Sequence, residues 1–182
     1  MSWKNGAGST TEIAAYPESS SVSGVPFQWR VSIADIATDG PFSLFPGYDR
    51  HIMVIAGKGM SLDAGPRGII HLGRPFVPAG FSGDWDVKGV LTNGPVRDFN
   101  LITSHAETRS MLTCEAVSTP RRFASPQGFC LLYILEGEGK VEGQSLAAGD
   151  AVYLTRHDEI ELVPSRTVRI AICRIAPQGM FA

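Results

Sequence analysis

One pattern occurs twice in the chain and restricts the fold more than any other feature: an apolar strand, a Gly-x-Gly turn, a short strand, then Gly-Asp before another strand. The turns are Gly57-Lys58-Gly59 and Gly137-Glu138-Gly139. Gly83-Asp84 follows 26 residues after Gly57, and Gly149-Asp150 follows 12 residues after Gly137. This order is typical of a small antiparallel jelly-roll barrel. The repeat predicts two barrels, with about 14 extra residues in the first half.

The remaining segments support an all-β fold. The chain has 20 Gly and 12 Pro, which favours many turns and short strands, and no stretch longer than about ten residues has helical periodicity. Alternating or continuous apolar runs predict strands at 1–15, 27–36, 50–56, 60–64, 69–72, 87–92 and 97–103, and then at 110–119, 129–135, 151–154, 160–163 and 168–175. We predict one bicupin unit over 1–182, with cupin halves at 27–103 and 110–176 and an N-terminal strand at 1–15. Asn93-Gly94 predicts a hairpin between 87–92 and 97–103, and we expect loops at 63–79 and 120–128.

The overall composition excludes several classes of protein. A net charge of -2 gives no electrostatic basis for binding nucleic acid or an anionic membrane. The longest apolar run, Phe129 to Leu135, has the length of a strand and is too short to span a membrane. The three cysteines, Cys114, Cys130 and Cys173, have no disulfide or zinc spacing, so a reducing cytoplasm is the simplest compartment.

The histidines do not form the metal site that many cupins carry, which takes an HxH pair and a Glu near the Gly-x-Gly turn and a further His after Gly-Asp. In the strand before the first Gly-x-Gly turn, 50–56, the one histidine is His51, and the strand before the second turn, 129–135, contains none. His71, His105 and His157 are isolated from one another. We therefore predict no metal and no other cofactor.

Polar side chains instead lie within predicted strands. Arg30 and Ser32 share one strand face, Asp98 and Asn100 share another, and Arg50 with His51 begins a third strand. An arginine presents a planar fork that matches a carboxylate. Two interpretations remain open: these residues, with Glu12, line a ligand pocket, or Arg30 and Arg50 only pair with Asp98 or Glu12 in a structural network. Lys4 and Asn5, before a glycine, could also cover an anionic ligand.

Several motifs give the chain a family resemblance. WKNGAGSTTEIA at Trp3 to Ala14, WRVSIADI, DGPFS and FPGYDR within Trp29 to Arg50, and RDFNLI at Arg97 to Ile102 resemble the signature of the HutD/Ves family of bacterial bicupins. The chain begins almost at the first motif, before which relatives tend to carry a short segment. The resemblance favours the pocket interpretation, because the polar residues above fall within these motifs.

The resemblance also implies a function. We expect a non-enzymatic bicupin that binds a small carboxylate, with an accessory or regulatory role in histidine utilisation and formylglutamate or urocanate as candidate ligands. A stress-linked role in the Ves branch is the other implication. The alternatives are a metal-free isomerase or lyase using Asp98, Glu12 or His51, and a structural partner protein with a vestigial pocket. A homodimer is left open.

Overall fold

The chain folds almost entirely into antiparallel β-strands in the computed structural model, which describes residues 8–18 and 26–179. It divides into two compact units, one ending at Glu107 and the other beginning at Thr108. A three-residue 3₁₀ helix, Gly65–Arg67, lies in the first unit. No helix in the described ranges is long and apolar enough to cross a membrane. The predicted all-β fold is confirmed.

The described part of the first unit contains nine strands in two sheets. In chain order they are β1 (Gly8–Tyr16), β2 (Trp29–Ile36), β3 (Gly40–Pro41), β4 (Tyr48–Ala56), β5 (Met60–Asp63), β6 (Ile69–Leu72), β7 (Ala79–Ser82), β8 (Lys88–Leu91) and β9 (Val96–Ser104). One sheet has the order β1-β2-β9-β4-β7 and the other the order β3-β8-β5-β6.

The second unit repeats this arrangement with eight strands in its described part. They are β10 (Thr108–Val117), β11 (Arg121–Ala124), β12 (Phe129–Glu136), β13 (Glu138–Val141), β14 (Gln144–Ala147), β15 (Ala151–Leu154), β16 (Glu159–Pro164) and β17 (Val168–Pro177). The sheet orders are β10-β17-β12-β15 and β11-β16-β13-β14. Each strand from β2 to β9 therefore has a counterpart eight strands later, and the two predicted barrels are present.

The Gly-x-Gly turns occupy equivalent places in the two units. Gly57 follows β4 with φ +97°, and Gly137 follows β12 with φ +86°. A Cβ atom added to Gly57 would lie 2.6 Å from the carbonyl oxygen of Pro95, and one added to Gly137 would lie 2.7 Å from that of Thr167. Glycine is thus required both by the left-handed backbone and by the close approach of the last strand of each barrel.

The predicted equivalence of the two Gly-Asp pairs is wrong. Gly149 precedes β15 and donates its N–H to the carbonyl of Ile134, whereas Gly83 follows β7. The residue equivalent to Gly149 is Phe76, which donates to the carbonyl of Val54 just before β7. Phe76 has φ 64°, a left-handed conformation that is rare for bulky residues. Because a phenylalanine takes the place of the glycine, the motif is hidden in the sequence and the inserted segment is shorter than predicted.

The predicted hairpin at Asn93-Gly94 is also wrong. Gly94 does adopt a turn conformation with φ 77°, but β8 pairs with β5 and β3 while β9 pairs with β2 and β4. The turn therefore carries the chain from one sheet to the other. The predicted loop at 120–128 contains β11, and β7 and β14 were not predicted, because strands of four residues give little alternation to detect.

Each unit has its own apolar core. The first includes Ile52, Val54, Leu62, Leu72 and Phe81, and the second includes Leu132, Ile134, Leu162, Ile170 and Ile172. The β-ladders show one difference between them. On β9, Asp98 lies opposite Val54 of β4 and Asn100 lies opposite Ile52 of β4. The matching positions on β17 are Ile170, opposite Ile134, and Ile172, opposite Leu132. The first barrel thus has polar residues where the second has isoleucine.

The three thiols are free, and Cys130 and Cys173 are buried. Burial raises the pKa of Cys173, of Cys130 and of the half-buried Cys114. A raised pKa keeps a thiol protonated and weakly nucleophilic at neutral pH. These residues therefore act as small apolar side chains in the strands.

Candidate ligand-binding site

A cavity of about 330 Å³ lies in the first unit, against the sheet that contains β2, β9 and β4. Its walls come from that sheet, including β1, and from β3 with the segment that follows it as far as β4. The lining residues are Thr10, Arg30, Ala34, Pro41, Phe42, Ser43, Phe45, Arg50, Asp98, Asn100 and Ile102. Cavities of this size hold small-molecule ligands.

Strand alternation and register place the polar side chains together. On β9, Asp98, Asn100 and Ile102 share one face, because successive side chains point to opposite faces. Ile102 pairs with Arg30 on β2 and with Arg50 on β4. Directly opposed residues in antiparallel strands have Cβ atoms about 5 Å apart, so the two arginines flank Ile102 from both sides. The register of three strands thus brings two guanidinium groups to one cavity.

A chain of hydrogen bonds orients Arg50. Its Nη2 donates to Oδ1 of Asn100 at 2.9 Å, and its Nη1 donates to the carbonyl of Ser43 at 3.2 Å. Nδ2 of Asn100 in turn donates to Oδ1 of Asp98 at 2.5 Å. Arg50 is 5% exposed and Asp98 is 0% exposed. Asn100 therefore connects a buried cation to a buried anion by accepting from one and donating to the other.

Aromatic rings surround both guanidinium groups. Cζ of Arg50 lies 5.0 Å from the ring centroid of Phe81, 5.3 Å from that of Phe42 and 5.4 Å from that of Phe45. Cζ of Arg30 lies 4.9 Å from the centroid of Phe27 and 5.1 Å from that of Phe45. The electron-rich ring faces attract the cations, and each contact contributes on the order of 1 kcal/mol. The rings hold the arginines in place without using their hydrogen-bond donors.

Tyr48 fixes this aromatic group to the chain. Its hydroxyl donates to the carbonyl of Phe27 at 2.9 Å, and its ring lies 4.6 Å from that of Phe27 and 6.4 Å from that of Phe45. Phe27 and Phe45 meet edge to face at 6.2 Å. Edge-to-face and tilted pairs are favourable ring geometries. The wall of the cavity beside Arg30 is therefore well packed.

Burial shifts the ionisation of the charged groups. It raises the pKa of Asp98 to about 7, although the nearby charge of Arg50 and the hydrogen bond from Asn100 act to lower it. It also lowers the pKa of Arg50 to about 10, against the opposing effect of Asp98, and lowers the pKa of Arg30. Both arginines remain charged at neutral pH, and Asp98 titrates near it.

Three buried polar atoms of the cavity residues have no hydrogen-bond partner among the described residues: Nε of Arg30, Nε of Arg50 and Oδ2 of Asp98. A backbone hydrogen bond from Ala34, opposite Asp98 on β2, also acts to lower the pKa of Asp98. Buried polar groups without partners are rare and costly. These three atoms of cavity residues therefore lack the internal partners that a closed ion-pair network would give them.

Four of the residues predicted from the sequence meet in this cavity: Arg30, Arg50, Asp98 and Asn100. Ser32 is buried on the same strand face as Arg30, between β1 and β9, but does not line the cavity.

The other candidates lie elsewhere. Glu12 is exposed on β1, and its charge opposes the lowering of the pKa of Arg30 by burial. His51 follows Arg50 on β4 and so points to the opposite face of the sheet. Lys4 and Asn5 lie outside the described residues.

The sequence interpretation missed the aromatic components. Phe42 and Phe45 lie in the segment between β3 and β4, and Phe81 lies on the short strand β7. The sequence contained one signal for these rings. Phe42 and Phe45 both lie between Pro41 and Pro46, just before the strand that carries Arg50. No group of three or more His, Cys, Asp or Glu side chains within the described ranges could hold a metal ion.

Two antiparallel jelly-roll barrels in one chain, one of them containing an arginine-lined cavity, define the class of protein as a bicupin. The family model described as HutD matches residues 1–172, and the chain belongs to the HutD family.

Two solved structures are similar over almost the whole chain. HutD from Pseudomonas fluorescens SBW25, in a formate condition, has 35% identity and a TM-score of 0.80, covering 98% of this chain and 94% of that one. A conserved protein of unknown function from Pseudomonas aeruginosa PAO1 has 32% identity and a TM-score of 0.82, with the same coverages. A glyoxylate-induced protein from Pseudomonas aeruginosa, at 15% identity and a TM-score of 0.70, shares the fold.

Proposed function

We propose that this protein binds a small carboxylate ligand in the cavity of its first barrel and does not transform it. The convergence of Arg30 and Arg50 on one cavity carries the proposal. Both have a buried Nε without a partner in the described part of the chain, and both are held by aromatic rings rather than by carboxylates. A structural ion-pair network would use these donors internally, whereas a binding site leaves them for a ligand.

The charges favour an anion. Two guanidinium groups face one buried carboxylate, Asp98, so the cavity has a net charge of about +1 when Asp98 is ionised. A ligand carboxylate balances this charge and can accept from both arginines. Charge-assisted hydrogen bonds each contribute about 1.5–3 kcal/mol. Two such bonds supply about 3–6 kcal/mol, which is less than the roughly 8 kcal/mol of a micromolar Kd, so contacts between the ligand and the apolar walls of the cavity must supply the rest.

Membership of the HutD family supports an accessory or regulatory role in histidine utilisation. Two intermediates of histidine breakdown, formylglutamate and urocanate, are small carboxylates and fit a cavity of about 330 Å³. We propose one of these as the ligand, with binding that reports its concentration rather than consuming it.

The test is a thermal-shift and calorimetric titration with formylglutamate, urocanate and histidine, and with the methyl esters of the two acids as uncharged controls. At a ligand concentration 100 times Kd, the free energy of unfolding rises by about 2.7 kcal/mol. For a chain of this length, that raises Tm by about 5–10 °C. Equal shifts from an acid and its ester, or no shift from either acid, would contradict the proposal.

Asp98 favours one alternative, a metal-free enzyme with this residue as the acid–base group. Its pKa of about 7 and its unpartnered oxygen are properties of catalytic carboxylates. The two functions are separated by following each ligand with NMR in the presence of the protein. Unchanged spectra over hours with saturating binding support the binding protein, and product signals that disappear in Asp98→Asn support the enzyme.

A further inference from the structure

Oδ2 of Asp98 is the one carboxylate oxygen in the cavity lining, over the described residues, without a hydrogen-bond donor. Oδ1 is occupied by Asn100. The side chain is 0% exposed, so bulk water does not solvate this oxygen as it does at a surface. A buried acceptor without a donor carries a desolvation cost that a ligand can remove.

An ion-pair role does not account for this arrangement. Arg50 donates to Asn100 and to the carbonyl of Ser43, and its attraction to Asp98 acts through space rather than through a hydrogen bond to Oδ2. If Asp98 served only to neutralise Arg50, a direct two-pronged contact would be the stronger arrangement. Asn100 instead occupies Oδ1 and leaves Oδ2 without a donor, on a residue that lines the cavity.

We infer that Asp98 determines ligand specificity: the ligand carries an N–H or O–H donor beside its carboxylate, and Oδ2 of Asp98 accepts from it. This inference rests on the proposed carboxylate binding, with Arg30 and Arg50 holding the anionic end. A plain carboxylate of the same shape fills the arginine subsite but leaves Oδ2 unpaired, so the protein rejects it. Sites that hydrogen-bond a ligand discriminate strongly against analogues that lack the bonding group.

The charged groups around Asp98 set the conditions of the test. The charge of Arg50 on β4 stabilises the ionised form of Asp98, and the charge of Asp35 on β2 destabilises it. The charge of Glu12 stabilises the ionised form of Arg30. Because burial raises the pKa of Asp98 to about 7, affinities are measured at pH 8, where the carboxylate is mainly ionised and accepts hydrogen bonds.

Two matched pairs of probes differ only in the donor. Urocanate is compared with 3-(2-furyl)acrylate, which keeps the carboxylate, the double bond and the five-membered ring but has no N–H. Formylglutamate is compared with 2-formyloxyglutarate, in which oxygen replaces the N–H. We expect the donor-bearing member of the pair that binds to have a Kd about ten- to a hundredfold lower, as one charge-assisted hydrogen bond provides.

Asp98→Asn supplies the reciprocal measurement. Asn100 Nδ2 donates to position 98, so the new amide keeps its oxygen there and presents its NH₂ in place of Oδ2. A donor then meets a donor, and the preference should disappear or reverse while the donor-free probe binds at least as well as to the parent. Arg122→Gln, which removes exposed ion pairs with Glu159 and Glu161 in the second unit, is the control and should keep the parent's preference.

The outcomes separate the two proposals. If both members of a pair bind equally to the parent, or if Asp98→Asn keeps the preference, the inference about Asp98 is wrong and carboxylate binding stands. If none of the four probes binds to the folded parent protein, carboxylate binding itself fails and the inference fails with it.

Discussion

Replacing Asp98 by asparagine should stabilise the protein at alkaline pH. Asparagine has the shape of the protonated carboxyl and can keep the hydrogen bond with Asn100. In the folded state the pKa of Asp98 is about 7, against about 3.9 in an unfolded chain. Because the folded protein holds this proton more tightly, the contribution of Asp98 to stability is most favourable below about pH 4. It is lost as pH rises to about 7.

The size of the effect follows from the pKa difference. Three units at about 1.4 kcal/mol each give a penalty of about 4 kcal/mol for ionised Asp98 at pH 8, and about 1.5 kcal/mol at pH 5. These are upper figures, since water entering the cavity and local relaxation lower the cost of burying a charge. Asp98→Asn should therefore raise the free energy of unfolding more at pH 8 than at pH 5, by about 2–3 kcal/mol.

Urea unfolding at pH 5, 6, 7 and 8 measures this difference directly, with ligand absent. Glu159→Gln is the control, because Glu159 lies in the second unit and is half-exposed in a surface ion pair with Arg122. Surface pairs of this kind contribute about 0–1 kcal/mol, so the control should show little change across the series. A variant at position 98 whose stability equals or falls below that of the parent at pH 8, or whose gain is independent of pH, would refute the reasoning.

Three further predictions concern other parts of the molecule. Arg50→Ala should lower the free energy of unfolding by about 3 kcal/mol in urea titrations, because it leaves Asp98 without its countercharge and removes the contacts to three phenylalanines; a loss below about 1 kcal/mol would contradict this. Arg50→Lys should fold but recover only part of the carboxylate affinity in calorimetry, since an ammonium lacks the planar fork; full recovery would mean that the site recognises charge alone. Gly57→Ala should lower the free energy of unfolding by several kcal/mol in thermal unfolding, and Gly143→Ala by about 1 kcal/mol. Both glycines have positive φ, but a Cβ at Gly57 would lie 2.6 Å from the carbonyl oxygen of Pro95, whereas one at Gly143 has nothing within 4 Å. Equal losses in the two variants would refute the steric argument.

The repeat in the sequence predicted the fold because glycine is irreplaceable at the two Gly-x-Gly turns. The left-handed backbone and the close approach of another strand both exclude a side chain at Gly57 and Gly137. The Gly-Asp equivalence failed because only the first of these constraints applies at Phe76: the backbone there has φ 64°, and a phenylalanine tolerates it at some cost. A motif predicts the fold reliably where steric clashes allow only one residue type at a position. It predicts poorly where another residue fits at the cost of some backbone strain.

The candidate site was predictable to the extent that it depends on strand alternation. Arg30, Asp98 and Asn100 share faces that the period of two gives directly. The burial of Arg50, whose side chain is 5% exposed, was not predictable in this way. Its enclosure depends on Phe42, Phe45 and Phe81, which come from a loop and a separate strand. Contacts between segments distant in sequence leave no periodic signal, so these rings could not be inferred.

The two barrels show one backbone filled in two ways. At the positions of Asp98 and Asn100, the second barrel carries Ile170 and Ile172, and both are fully buried there. The isoleucines show which residues this fold carries at these positions when they serve only to pack the core. Compared with these isoleucines, the buried acid and amide of the first barrel cost stability, and the proposed ligand site would account for that cost. A chain with two copies of a fold can tolerate this loss of stability in one copy, because the other copy keeps an ordinary apolar core.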